Sequence, residues 1–147
     1  MRKKVILAVI IHLLFFGLAI EGFGQTRQAS QTNFAGDYNS LIKKLRTNGL
    51  TVKRGGRVSQ PFFSISGRIL TVDGEQVQIF EYKKKETAAS EAGRISPSGS
   101  PVGTTMITWV APPHFYKSGN LIVLYVGEKP KLIKALENAL GRQFAGK

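Results

Sequence analysis

No cysteine occurs anywhere in the chain, which removes disulfide staples and thiolate metal sites together. Stability must therefore come from an ordinary packed core. The same absence removes the residue that lipid attachment needs after an N-terminal apolar run. Histidine is nearly as scarce, and only His114 lies downstream of that run. A histidine acting as base or ligand needs companions. None of Asp37, Asp73, Glu75, Glu81, Glu86, Glu91, Glu128 and Glu137 is spaced from His114 in a recognisable ligand pattern, so no metal and no cofactor is expected. A Walker loop, a dinucleotide fingerprint and a G-x-S-x-G nucleophile elbow are also missing. Acidic residues are few: 9 Asp plus Glu stand against 21 Lys plus Arg, a formal net charge of +12.

What is present starts with an address. MRKKVILAVIIHLLFFGLAIEGFGQ opens on Arg2, Lys3 and Lys4, runs nearly unbroken apolar from Val5 to Ile20, and closes on Gly22 and Gly24 at small-x-small spacing. That is the pattern of a secretory signal peptide over residues 1–24, with cleavage expected after Gly24. The alternative is an uncleaved helix that tethers the chain to the membrane. Its apolar run would reach only about 24 Å against a hydrocarbon core of about 30 Å, and no later run approaches spanning length. Removing the leader leaves 18 Lys plus Arg against 8 Asp plus Glu, a net +10, in an exported periplasmic or extracellular protein. Such a charge draws a domain weakly to anionic surfaces such as phospholipid headgroups or teichoic acids. The basic residues are nonetheless scattered, with Lys83-Lys84-Lys85 the one tight run, which also fits a solvated face. Arg54-Gly55-Gly56 is a single copy and reads as a turn, so no specific nucleic-acid binding is expected.

QTRQASQTNFAG, residues 25–36, is polar and without period and reads as a flexible tether, leaving 37–147 as a single domain. Tyr38, Leu41, Ile42 and Leu45 repeat at helical spacing between Asp37 as cap and Gly49 as stop, which predicts a first helix. Thr51 to Lys53 reads as a short strand and Phe62 to Ile65 as another. Asp73-Gly74 between two β-rich runs predicts a two-residue hairpin that pairs Val72 with Glu75, Leu70 with Val77 and Arg68 with Ile79. Leu70, Val72, Val77 and Ile79 then share one face. Phe80 and Tyr82 fall on the other, so either a bulge intervenes or both faces are covered. KKETAASEAGRI carries Ala88, Ala89, Ala92 and Ile95 as a helical stripe of small residues, weakened by Gly93. SPSGSP is a loop.

Thr104 to Val110 reads as a strand. LIVLYV, residues 121–126, reads as a central one because it is apolar at every position; its burial would supply on the order of 10 kcal/mol of gross hydrophobic driving force. Leu132, Ile133, Leu136 and Leu140 form the last helical stripe, from Pro130 to Gly141. The order α-β-β-β-α-β-β-α predicts an α+β domain: a mainly antiparallel sheet of about five strands with three helices.

The segment from Pro61 to Gly146 resembles a family of small exported bacterial proteins, many with lipoprotein-type signals. The words that carry the resemblance are QPFFSISGRIL, VDGEQVQIFEY, GRISPSGS, TMITWVAPPHFY, LIVLYVG and LENALGRQFAG. It implies export and a single domain, and supplies no catalytic residues. The missing cysteine departs from the lipoprotein pattern and leaves the mode of anchoring open.

Chemically versatile side chains crowd together at PPHFY. Pro112 and Pro113 withdraw two backbone donors, so this stretch is expected to bend the chain at the end of the Thr104 strand, with His114 as a hydrogen-bonding member of the cap. Trp109, His114, Phe115, Tyr116 and Lys117 could instead form an aromatic, slightly basic patch for an envelope protein or small ligand. A hydrolase using His114 with a carboxylate, and an electrostatic binder of anionic polymers, are the other readings. The missing catalytic sets favour a non-enzymatic binding domain.

Overall fold

The computed structural model describes residues 33–146; the expected signal peptide and most of the expected tether lie outside them. The Asp73-Gly74 signal is realised as the chemistry requires. Asp73 takes φ 47° and Gly74 φ 89°, the paired positive angles of a type I′ turn. β2 (Gly67–Val72) and β3 (Glu75–Glu81) pair antiparallel with Val72 opposite Glu75, Leu70 opposite Val77 and Arg68 opposite Ile79. The register expected from the sequence is the register observed.

α1 (Tyr38–Thr47) is closed at its start by a capping box: Asp37 accepts from the N–H groups of Asn39 and Ser40, and Ser40 Oγ accepts from Asp37 N–H. The bond from Ser40 N–H leads the interactions that hold the Asp37 carboxyl below its usual range. Tyr38, Leu41, Ile42 and Leu45 are all buried. α2 (Lys85–Ala92) buries Ala88 and Ala92, whereas Ala89, expected on that face, is exposed. Glu91 is buried and pairs with Arg94 at 3.3 Å. Gly93 caps this helix instead of interrupting it. α3 (Pro130–Leu140) starts on Pro130 and ends at Gly141, with Leu132, Leu136 and Leu140 inside.

The strands form one antiparallel sheet in the order β1-β2-β3-β5-β4-β6. β1 spans Val52–Val58, β4 Pro113–Ser118, β5 Leu121–Val126 and β6 Ala145–Gly146. The class is α+β as expected, with six strands where about five were anticipated; the addition is β6, which pairs with β4 after α3. β5 lies between β3 and β4. Leu121, Val123 and Tyr125 pack with α1 and α3, and Ile122 and Leu124 pack with α2 and its neighbouring loops. Both sheet faces are therefore covered, which explains why Phe80 and Tyr82 point away from Val77 and Ile79 without a bulge in β3. The β4–β5 turn needs Gly119 at φ 56°, and a side chain there would meet Gly36 O at 2.6 Å. Ala35, within the expected tether, is fully buried and its N–H donates to Ala139 O at 2.7 Å.

Three strand assignments are corrected. Phe62 to Ile65 is a turn, and Phe62 and Phe63 instead bury their rings in the second core layer, Phe63 lying 4.5 Å from Phe80. Thr51–Lys53 extends into the longer β1, whose register slips between Arg54 and Arg57 across two glycines. A bulged, basic outer strand resists edge-to-edge association. Thr104 to Val110 is loop, and the strand lies in PPHFYKS.

The hairpin tip is clamped by the start of α3 and by β5. Lys131 Nζ lies 2.7 Å from Asp73 Oδ2, Lys129 Nζ 3.1 Å from Glu75 Oε1, and Tyr125 Oη–H donates to Glu75 Oε2 at 3.1 Å. Lys131 holds the Asp73 carboxyl below its usual range, and Lys129 with Tyr125 does the same for Glu75. Carboxylates depressed in the folded state contribute stability that is present above their unfolded pKa values and lost as pH falls through the folded ones. Urea midpoints are therefore expected to hold near neutrality and to drop once pH passes below about 4.5. The D73N/E75Q variant should show a shallower acid slope. An unchanged slope would mean that these carboxylates are not linked to folding.

Candidate functional site

The two prolines of PPHFY do not end the sheet. Pro113 is the first residue of β4, a strand position at which a missing N–H is tolerated. From there β4 pairs His114 with Tyr125, Phe115 with Leu124 and Tyr116 with Val123. Successive side chains on a strand point to opposite faces, and this divides the five candidate residues. His114 and Tyr116 enter the layer shared with α1 and α3, where Tyr116 is fully buried. Phe115 enters the other layer, where the half-buried Trp109 meets it edge-on at 5.8 Å and reaches Phe62 at 6.2 Å. Lys117 is half exposed, two positions along from Phe115. The structure thus unites Trp109 with Phe115 and separates both from His114 and Tyr116. The expected aromatic patch is not one surface.

His114 is 6% exposed. Its Nδ1 lies 2.6 Å from Gln143 Oε1 and its Nε2 2.9 Å from the Gly127 carbonyl, and its ring stacks on Tyr125 at 5.8 Å between centroids, 19° from parallel. A ring with Nε2–H donating to Gly127 leaves Nδ1 to accept from the Gln143 amide in its flipped orientation; a ring carrying both protons would donate to both oxygens. Either way both nitrogens are engaged by an amide and a carbonyl. Among the described residues no carboxylate joins them, and no group of three or more His, Asp or Glu side chains could hold a metal ion. His114 ties the chain after α3 to the chain after β5.

Tyr125 extends this network. Besides donating to Glu75, its oxygen accepts from Lys129 N–H at 3.2 Å. Burial raises its pKa, and Glu75 adds to the effect. The hydroxyls of Tyr116 and Tyr82 are buried and find no hydrogen-bond partner among the described residues. Burial pushes both above the usual phenol range, reinforced by Glu137 for Tyr116 and by Glu91 for Tyr82. These groups are apolar filling with a polar tip, not poised acids.

The segment before β4 has the opposite character. The connection from Gly93 to Pro112 exceeds the about 12–15 residues beyond which structureless loops become uncommon and are usually functional or disordered, yet it is closely held. Ser100 Oγ donates to Ile107 O at 2.9 Å and accepts from Ile107 N–H at 3.0 Å. Trp109 Nε1–H donates to Gly99 O at 3.0 Å. Val102, fully buried, exchanges two backbone bonds of 3.0 Å with Thr105. On this braced frame Met106 is 77% exposed and Val110 98% exposed. Sequence reasoning missed both because it placed them in a strand, where alternation would have hidden part of the segment. Gln143 was missed because nothing local links it to His114, from which it is separated by 29 positions.

No helix among the described residues is long and apolar enough to cross a membrane. Comparison with protein-family models, with curated proteins and with solved structures finds no match to this chain.

Proposed function

We propose that this chain is an exported, non-enzymatic α+β domain that binds an envelope protein or ligand through the loop preceding β4. The observation that carries the reading is the near-complete exposure of Val110 and Met106 on a loop fixed by Ser100 and Trp109. Large apolar side chains held outward by a rigid frame are ready to bury area on a partner with little ordering cost. Trp109 belongs to this contact as its base, while His114, Phe115 and Tyr116 support it from inside the sheet. Export rests on the signal-like start and on the resemblance of residues 61–146 to small exported proteins. The hydrolase reading finds no support in the surroundings of His114, whose ring nitrogens meet neither an acid nor a nucleophile among the described residues.

The test is capture of envelope components by the wild-type domain and by M106D/V110D. Exposed substitutions of this kind usually change stability by no more than about 0.5 kcal/mol, so the variant is expected to fold normally while losing at least about tenfold in capture, or about 1.4 kcal/mol. Equal capture by both proteins would exclude this loop as the contact.

A further inference from the structure

A cleft of about 620 Å³ opens where the end of β3 meets α2 and the 64–66 turn. Its wall collects Arg57 from β1, Lys83 and Lys84 from the link into α2, and Ser64, Ser66 and Thr87, with Ser66 Oγ 3.1 Å from Ser59 Oγ. The sequence shows only the Lys83–Lys85 run. The antiparallel sheet and the turn after Pro61 bring the remaining groups to it. One carboxylate, Glu81, also lines the cleft, but it is already committed: Oε2 is paired with Arg68, and Oε1 accepts from Tyr38 N–H at 3.0 Å. Arg68 is held in turn over the Tyr38 ring, 3.5 Å from its centroid. Among the described residues Arg57, Lys83 and Lys84 form no salt bridge. Three cations thus border one cavity whose one lining carboxylate is spent on a fourth.

We propose that this cleft binds the phosphate group of a phosphorylated small molecule. A phosphate monoester is a dianion with three terminal oxygens, and the cleft offers matching groups. Arg57 can engage two oxygens through a planar fork, the two lysines act as mobile point charges, and the hydroxyls are neutral donors. The volume lies within the range of about 300–1,000 Å³ usual for small-molecule sites, so it has room for more than an isolated phosphate ion. This site does not involve the Met106–Val110 loop and stands or falls separately from it.

Amide chemical shifts of the 15N-labelled domain titrated with inorganic phosphate, glucose 6-phosphate and glucose test the proposal. Saturable shifts are expected at Ser64, Ser66 and Lys83 through Thr87 with both phosphate-bearing probes, tighter for the sugar phosphate, and none with glucose. K83Q/K84Q should weaken binding by about tenfold or more, as loss of charge-assisted hydrogen bonds implies, while the exposed pair K53Q/K134Q changes it less than twofold. Unsaturable shifts spread over lysines across the molecule, equal weakening by both double variants, or silence from both soluble probes would each overturn it. The last result, combined with shifts from phosphatidylglycerol vesicles, would identify a membrane surface as the ligand instead.

Discussion

Truncating Leu124 to alanine is expected to lower the unfolding free energy by about 2–5 kcal/mol, and truncating Leu121 to lower it by a similar amount. The two residues lie on one strand and are both fully buried, yet they occupy opposite layers: Leu121 packs with α1 and α3, Leu124 with α2, Phe80 and Phe115. In a sheet covered on one side only, one of these positions would face water and its truncation would be nearly silent. Here each removes apolar area and leaves a cavity that neighbours fill only in part. Urea unfolding followed by circular dichroism should show both midpoints shifted at an unchanged denaturant slope, the signature of altered stability without an altered denatured state. A shift in only one variant would mean that the second layer is not a true core.

His114→Ala is expected to destabilise the domain by about 2–4 kcal/mol, combining the about 1–3 kcal/mol of a buried group left without its partner with the loss of packed volume. The Gly127 carbonyl and the Gln143 amide would both lose a partner, and the Tyr125 ring its stacked neighbour. Gln143→Ala should reproduce part of the loss, and the double variant should fall short of the sum of the singles because the residues share one bond. Thermal melts of the three variants provide the check. A His114→Ala protein as stable as wild type would contradict the structural role and reopen a chemical one.

The role of His114 marks the boundary between what a local reading can and cannot resolve. The Asp73-Gly74 hairpin, the Asp37 cap, the α3 stripe from Leu132 to Leu140 and the two-sided burial of LIVLYV were all legible, because each rests on interactions spanning a few residues or on an apolar pattern needing no partner to be named. The strand assignments at Phe62–Ile65, Thr104–Val110 and Pro113–Ser118 were not. The first two stretches are rich in β-branched and aromatic residues and the third opens on a proline, yet β propensity records fit to a pleated, half-buried surface more than any intrinsic preference of the backbone.

Residue chemistry alone therefore determined the Asp73-Gly74 turn, the Asp37 cap, the three helices and a central apolar strand for this protein, since their causes lie within the segments themselves. Only the tertiary structure decided which of the competing segments pairs with β5. That choice depends on hydrogen-bond partners from β5 and β6 and on a second layer of helix and loop, all distant in the chain. It put Phe115 and Tyr116 inside on opposite faces and left Met106 and Val110 outside. It also gathered Arg57, Lys83 and Lys84 around one cleft, because strand alternation and long-range pairing place side chains that no short window of sequence relates.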